Sequence, residues 1–321
     1  MNSIIRKFIL SLIFKNKIVY AHYAVTHRCD LSCSMCNNNF KQKNYDELNI
    51  EQIKMLSKKL KDNGVKFISL GGGEPFLRDD IVEIVKVFAK QGIRVQILTN
   101  ILNVDYNKLE QINKIKNFNA LSISCHSVSK KSSLLIYNDE KIFYKILTNI
   151  KNVISLVGNK KILLNTLISP LNIDDVYEIY EFSKRNKLKI SFLPIESNDV
   201  QTFQFTKEDY KKIDELYSFL KKECKKNKYI FNSSKFLEMS NNYQKGIMYK
   251  NYCHAGKLYV SINPNGNIAP CHKYHDAFIN DINNIKQKDK NCCSCMRPCW
   301  IEISNFFTDN NSFTERLKKY I

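Results

Sequence analysis

Three cysteines stand close together early in the chain, in the run Thr26-His27-Arg28-Cys29-Asp30-Leu31-Ser32-Cys33-Ser34-Met35-Cys36. Spacings of three residues and then two put three thiols on one short loop. Such a set can hold three corners of a 4Fe–4S cluster and leave one iron without a protein ligand. An open coordination position separates a metal site that does chemistry from one that only staples a fold. A zinc knuckle completed by His27 or His22 satisfies the same spacing. Further on comes Gly71-Gly72-Gly73-Glu74-Pro75. Three glycines let the backbone come very close to a bound ligand. Glu74 could accept charge-assisted hydrogen bonds from an ammonium group.

The elements between these residues set where they lie. β-rich runs occur at Val19–Val25, Phe67–Leu70, Arg94–Leu98, Ala120–Ser124, Lys161–Ile168 and Lys189–Leu193. Apolar residues at helical spacing mark Ile50–Leu60, Ile81–Ala89, Lys141–Val157 and Val176–Arg185. Asp79 and Asp80 precede the second of these helices, and Asp174 and Asp175 the last, as expected caps. Alternating strands and helices predict parallel strands with right-handed crossovers, as an open doubly wound sheet or a partial β/α barrel. In either, the three-cysteine loop and the glycine loop lie at the carboxyl end of the sheet, where active sites sit.

With both motifs in place, the chain resembles the radical S-adenosylmethionine (SAM) superfamily over about residues 19–196. The resemblance implies a partial (β/α)6 barrel in which Cys29, Cys33 and Cys36 hold a 4Fe–4S cluster. It implies that the cluster's open iron chelates SAM and that Gly71, Gly72, Gly73 and Glu74 form the loop that receives the SAM amino group. Met35 stands where relatives usually carry an aromatic residue beside the adenine. Thr99 and Asn100 match a Thr-Asn-Gly element, with Ile101 in place of the glycine. His126 stands where many relatives have Asp. Ser122, Ser124, Asn165 and Glu196 are further candidates for contacts to SAM, each against the plainer reading of a satisfied polar residue at a strand end. The implied chemistry is one-electron cleavage of SAM to a 5′-deoxyadenosyl radical that removes a hydrogen atom from a substrate. Cys125 is a candidate for returning a hydrogen atom, against the plainer reading of a small buried hydrophobe. Cys224, in a charged helix, reads as structural.

Six of the eleven cysteines fall between Cys253 and Cys299. Cys253 and Cys271 bracket a hairpin over Leu258–Ala269 whose turn is Asn263-Pro264-Asn265-Gly266. Cys292, Cys293, Cys295 and Cys299 follow. Four such thiolates suit either a zinc ribbon or a second Fe–S cluster. The Cys-x12-Gly-x4-Cys spacing is similar to the SPASM and twitch extensions of the same superfamily. That similarity implies one auxiliary 4Fe–4S cluster, with Cys253 and Cys271 as the firmest ligands, then Cys295, then Cys292 and Cys299. The whole reads as α/β, with a small Cys-rich α+β module at the carboxyl end. Its segments are a basic amphipathic helix at 1–18, the barrel at 19–200, a helical connector at 201–250 and the module at 251–321. The connector includes one charged helix near 206–228 and a Ser/Asn-rich stretch near 232–242.

The formal net charge is +19, from 50 Lys plus Arg against 31 Asp plus Glu. Hydrophobic residues make up 44% of the chain, enough for a buried core and against a disordered chain. The apolar run Phe8–Phe14 is too short to span a membrane, although residues 3–18 could touch a membrane surface. No secretory signal is evident, so reduced thiols in a cytoplasmic, low-oxygen setting are expected. The positive field suits an acidic electron donor such as flavodoxin or ferredoxin. A peptide or protein substrate is the leading expectation, because similar tails often accompany peptide maturation in relatives. A small molecule such as a sugar, lipid or cofactor precursor is the main alternative, and RNA ranks below the donor as a target of the charge. A zinc-stapled nucleic-acid-binding protein is the reading in which the chain is no enzyme.

Overall fold

The computed structural model describes residues 18–36, 46–196, 203–247, 253–272, 282, 285, 292 and 295–308. The expected helix at 1–18 lies almost wholly outside the described residues, as does Cys293.

The barrel half alternates strand and helix: β1 (Tyr20–Thr26), α1 (Ile50–Asp62), β2 (Phe67–Gly72), α2 (Ile81–Lys90), β3 (Arg94–Thr99), α3 (Tyr106–Asn113) and β4 (Phe118–Ser124). It continues with α4 (Lys130–Tyr137), α5 (Ile142–Val157), β5 (Ile162–Ile168), α6 (Val176–Arg185) and β6 (Lys189–Pro194). Then come α7 (Tyr210–Lys226), α8 (Ser234–Gln244), β7 (Tyr259–Ile262), β8 (Ile268–Ala269) and α9 (Pro298–Thr308). The strands form one sheet in the order β6-β5-β4-β3-β2-β1-β7-β8. All neighbours are parallel except the β7–β8 hairpin. This is the α/β sheet of a partial barrel, and at its β6 edge the Ile190 backbone bonds to Tyr229 and Phe231.

The two faces of the sheet differ. On the helix side, Tyr23 stands beside Leu70, Leu70 beside Ile97 and Ile97 beside Leu121, all fully buried. Each fully buried Leu or Ile there contributes about 1.5–3 kcal/mol. On the inner side many register partners are small or polar, with Leu98, Leu163 and Leu167 interspersed among them. His22 stands beside Ser69 and Ser261, Ser69 beside Gln96, and Asn165 beside Ser124 and Ser191. A parallel sheet packed on both faces reads as a continuous apolar run. These alternating strands instead put many polar side chains on the inner face.

Local chemistry explains most helix starts. Asn49 and Gln52 close a capping box on α1, Asp105 caps α3 and Ser129 caps α4. α3 and α4 carry little periodic signal, because they are eight residues each and bury only a few side chains. The acidic pairs expected as caps do other work. The Asp80 carboxylate is held by Arg78, at 2.8 and 2.6 Å, and makes no cap bond to α2. Asp79 pairs instead with Lys108. Asp174 pairs with Lys212, and Asp175 turns away from α6 to the loop after β4. There it accepts from the Val128 and Ser129 N–H groups, at 2.9 and 3.1 Å, and from both the Ser129 and Ser132 hydroxyls. The charged helix near 206–228 opens as a 3-10 turn at Lys207–Asp209 before α7. The Ser/Asn-rich stretch becomes α8, because Ser233 caps it and the buried Glu302 carboxylate of α9 binds that same serine.

The hairpin is placed differently from a free-standing module. β7 pairs with β1, and Val260, Ile262 and Ile268 join the main core. No helix among the described residues is long and apolar enough to cross a membrane.

Replacing Asp175 by Ala leaves two backbone N–H groups and two hydroxyls without their acceptor. The expected cost is about 2–3 kcal/mol, read as a lower midpoint of urea unfolding followed by circular dichroism. An unchanged midpoint would contradict the network.

Candidate active site

A cavity of about 360 Å³ opens at the carboxyl end of the sheet. Cys29, Cys33 and Cys36 all line it, with Met35 among them. The loop that carries them leaves β1 and is fixed at several points. The Ser34 N–H and hydroxyl donate to the Ile136 and Leu135 carbonyls at the end of α4, at 2.8 and 2.7 Å. Asp30 accepts from Asn100 and Asn103, at 2.7 and 2.8 Å. The Asn100 side chain also lies 3.9 Å from the Cys29 sulfur. Arg78, 5% exposed, ties the base together. Its guanidinium donates to the Val25 carbonyl at 3.1 Å, to Leu48 at 2.9 Å and to Asp80, and lies 3.7 Å from Glu47. Glu47 in turn accepts from Thr26 and pairs with Arg28.

The glycine loop meets this loop backbone to backbone. Gly73 donates to the Thr26 carbonyl at 2.9 Å, and Glu74 to that of Arg28 at 2.8 Å. A Cβ on Gly73 would run into the Arg28 carbonyl, and one on Gly72 into that of Thr26. Gly72 also has φ +118°, a conformation that side chains rarely adopt. Gly71 lies under the His22 ring.

Glu74 does not face the cavity as expected. It is 2% exposed, and both carboxylate oxygens are taken by donors. One accepts from Phe76 N–H at 3.0 Å and the Thr99 hydroxyl at 2.9 Å; the other accepts from Asn100 N–H at 2.8 Å. Burial pushes its carboxyl up to about 7, against these three donors. Glu74 thus links the glycine loop to the residues that brace Cys29. Ile101, in the place of a glycine, has φ 60°. That left-handed position is costly for a β-branched residue, at about 1–3 kcal/mol. It is held by Ile101 N–H donating to Thr99 and Leu102 N–H donating to Asn100.

Met35, Gly72, Gly73, Thr99, Asn100, Ser124 and His126 line the cavity. The His126 Nδ1 accepts from Leu167 N–H at 3.2 Å, and burial lowers its pKa to about 4. Ser122 and Asn165 do not line the cavity; they bond each other lower on the inner face. Cys125, the candidate hydrogen-atom donor, is a correction as well. The alternation after Ser124 turns it into the helix-side core, fully buried, where burial pushes its thiol up to about 12. Cys224 is also buried, with its sulfur on the Asn232 carbonyl at 3.2 Å. Glu196 stays outside the lining and pairs with His272 and Arg297, which are part of it.

The remaining wall comes from the carboxyl-terminal segment: Ser261, Ile262, Asn263, His272 and Arg297. Sequence reading did not single out these residues, except for Asn263 as a turn residue. Only the strand period on β1, which puts His22 and Ala24 on one face, pointed toward the neighbouring positions. Behind that wall, Cys253 and Cys271 form a buried patch with Val19 and Tyr259, and Cys292 and Cys295 pack against it. The Cys253 sulfur is 3.2 Å from the Tyr259 hydroxyl. Burial raises the Cys295 pKa, with Glu196, Cys271 and Cys253 adding to the effect. Cys299 lies in the first turn of α9.

The donors present fit an Fe–S cluster with SAM. Burial pushes the Cys33 thiol up to about 12, and its neighbours Cys36 and Cys29 oppose its ionisation further. Thiolates placed this close repel one another, and a bound cationic centre offsets that repulsion and favours the ligating, deprotonated form. Beside them, Gly72 and Gly73 offer backbone unshielded by side chains.

The radical SAM superfamily, as a family, matches residues 23–183. A probable GTP 3',8-cyclase of Saccharolobus islandicus is 25% identical over 273 residues, spanning 82% of this chain and 85% of that one. A GTP 3',8-cyclase of Campylobacter jejuni is 30% identical over 217 residues, 64% of each chain. Streptococcus suis SuiB bound to precursor peptide SuiA shares the fold with a TM-score of 0.66 at 16% identity, over 97% of this chain and 70% of SuiB. The anSMEcpe structure with bound AdoMet gives 0.62 at 15% identity, over 94% and 96%.

Two outcomes are expected. Gly73→Ala should displace the cysteine loop and lower the iron retained after anaerobic reconstitution, measured per chain against wild type; full retention would show that the close approach is dispensable. Glu74 should also be visible as a pH effect. Its folded value of about 7 lies above the ordinary 4.5. The stability it contributes is therefore complete below about pH 4.5 and is lost as pH rises through 7. Between pH 6 and 8 the melting temperature of wild type should fall relative to Glu74→Gln; parallel curves would rule this out.

Proposed function

The chain belongs to the radical SAM superfamily, and on that premise we propose that this SAM-dependent enzyme removes a hydrogen atom from a peptide or protein substrate. The observation that carries the reading is the meeting of three thiols and the bare Gly72–Gly73 backbone on one cavity. When bound there, a 4Fe–4S cluster and SAM supply one-electron reductive cleavage to a 5′-deoxyadenosyl radical. Cys29, Cys33 and Cys36 would hold the cluster. Gly72 and Gly73 line the cavity with backbone alone, and Met35 offers SAM a soft apolar surface. Glu74, Asn100 and Arg78 keep the loop in place. His126, with its ring kept neutral by burial, and the surrounding core exclude water from the inner end.

The peptide reading draws support from two folds alike over nearly all of this chain, one of them solved with a precursor peptide. A nucleotide or other small molecule is the second reading, favoured by the sequence relatives described as GTP 3',8-cyclases. A twitch-like module with one auxiliary 4Fe–4S cluster on Cys253, Cys271, Cys295 and Cys292 or Cys299 is part of the proposal. The patch that gathers the first four of these supports it. An acidic one-electron donor such as flavodoxin or ferredoxin suits the charge of +19. Cys29 and Cys36 are exposed, which fits work at low oxygen.

The anaerobically reconstituted chain, given SAM and dithionite, is expected to release 5′-deoxyadenosine, and Cys36→Ala to release none. Iron should be about eight per chain, falling to about four in a Cys253→Ala, Cys271→Ala double variant. Bound zinc with no SAM cleavage would sink the reading.

A further inference from the structure

We propose that the cavity wall built by the carboxyl-terminal segment is a subsite for an oxyanion of the substrate, a carboxylate or a phosphate, anchored by the Arg297 guanidinium. The inference rests on the reading that SAM and substrate meet in this cavity, and it names the substrate's chemical class.

Arg297 stands between Cys295 and α9 and lines the cavity. Its Nε lies 3.6 Å from one oxygen of Glu196. The other oxygen of Glu196 accepts from the N–H of Met296, the preceding residue. Glu196 thus fixes one edge of the guanidinium. Among the described residues, the guanidinium makes no hydrogen bond, and Glu196 is its ion-pair partner. A guanidinium carries five N–H donors in a rigid fork, so an edge remains for a planar or tetrahedral oxyanion. Such charge-assisted, two-point contacts are the strong ones.

The surroundings favour the same ligand. No Asp or Glu is among the described residues that line the cavity. His272 lines it beside Arg297, with its Nε2 3.5 Å from the same Glu196 oxygen. From β1, His22 faces the same space in register with Ser261. Burial, with the nearby Arg297 and His272, lowers the His22 pKa to about 3, so its ring is a neutral polar partner. Glu196 stands outside the lining, so on the cavity side the guanidinium meets no carboxylate of the described residues. Arg297 comes from the carboxyl-terminal segment, whereas the thiols and the glycine loop follow β1 and β2, so the anchor is a different element from those proposed above to hold SAM.

The test uses the cluster-loaded chain saturated with SAM. Inorganic pyrophosphate and N-acetylglutamate are the probes, followed by the rise in melting temperature with probe concentration. At least one probe should bind wild type, and Arg297→Gln should weaken it about tenfold, the loss of one charge-assisted contact. Arg297→Lys keeps the charge without the fork and should weaken it less; it also serves if the Gln variant does not retain its iron. Binding of pyrophosphate alone points to a phosphate-bearing substrate, and of N-acetylglutamate alone to an acidic group on a peptide; either supports the subsite. The proposal is overturned if neither probe binds, or if both variants bind the probe as wild type does. It is also overturned if Arg297→Gln weakens SAM itself about tenfold in equilibrium dialysis, which would put the guanidinium on the SAM carboxylate. The readout is binding, so a failure here leaves the cleavage reaction standing, and a failure of cleavage leaves this result readable.

Discussion

The backbone of Gly72 and Gly73 lies against the backbone from Thr26 to Arg28 with no room for a side chain between them. That contact sets the height of the cysteine loop above the sheet. Two backbone hydrogen bonds hold it, from Gly73 and Glu74 to Thr26 and Arg28. Everything else at the site is built around keeping the two loops in touch. Arg78 fills the space below with four acceptors at once, which a Lys with its single ammonium could not match. The inner faces of the strands carry many small and polar residues, and a cavity stays open at their carboxyl end.

The same contact explains why Glu74 is buried. Once the glycine loop is pressed onto the cysteine loop, the next side chain must turn inward, toward the ends of β2 and β3. There its carboxylate finds three donors, one of them the N–H of Asn100. Asn100 then reaches Asp30 and Cys29 with its side chain. The left-handed Ile101 is part of this arrangement. Its conformation costs energy, and the two turn bonds made by Thr99 and Asn100 hold it. Strain of this kind persists where surrounding bonds over-determine the backbone.

Much of this was readable from residue types. Strand starts and ends came within a few residues, because β-branched runs flanked by turn residues carry their own signal. The cysteine and glycine loops were readable because metal and ligand chemistry demand those residues at those spacings. Other features depend on distant partners and left no local trace. Asp175 precedes α6 as a cap would, yet serves a loop 46 residues away. Asp80 answers to Arg78 instead of its own helix. Glu74 carries the right chemistry for a ligand contact, and only the packing shows that its oxygens are already used. Arg297 sits in a cysteine-rich run, and its place depends on the distant Glu196, which pairs with it and accepts from the Met296 N–H.

The hairpin's joining the sheet has a consequence for how the chain is made. Tyr20 of β1 pairs with Tyr259 of β7. As the chain is made, β1 therefore waits for a neighbour about 240 residues later. At 5–20 residues per second this is roughly 10–50 s of synthesis. Throughout that time one edge of β1, next to the cysteine loop, has unpaired backbone groups of the kind that invite wrong pairing. Long-range parallel pairing is also slow to form. Nascent chains paused before residue 259 would therefore carry the first cysteine loop without the wall that later encloses it.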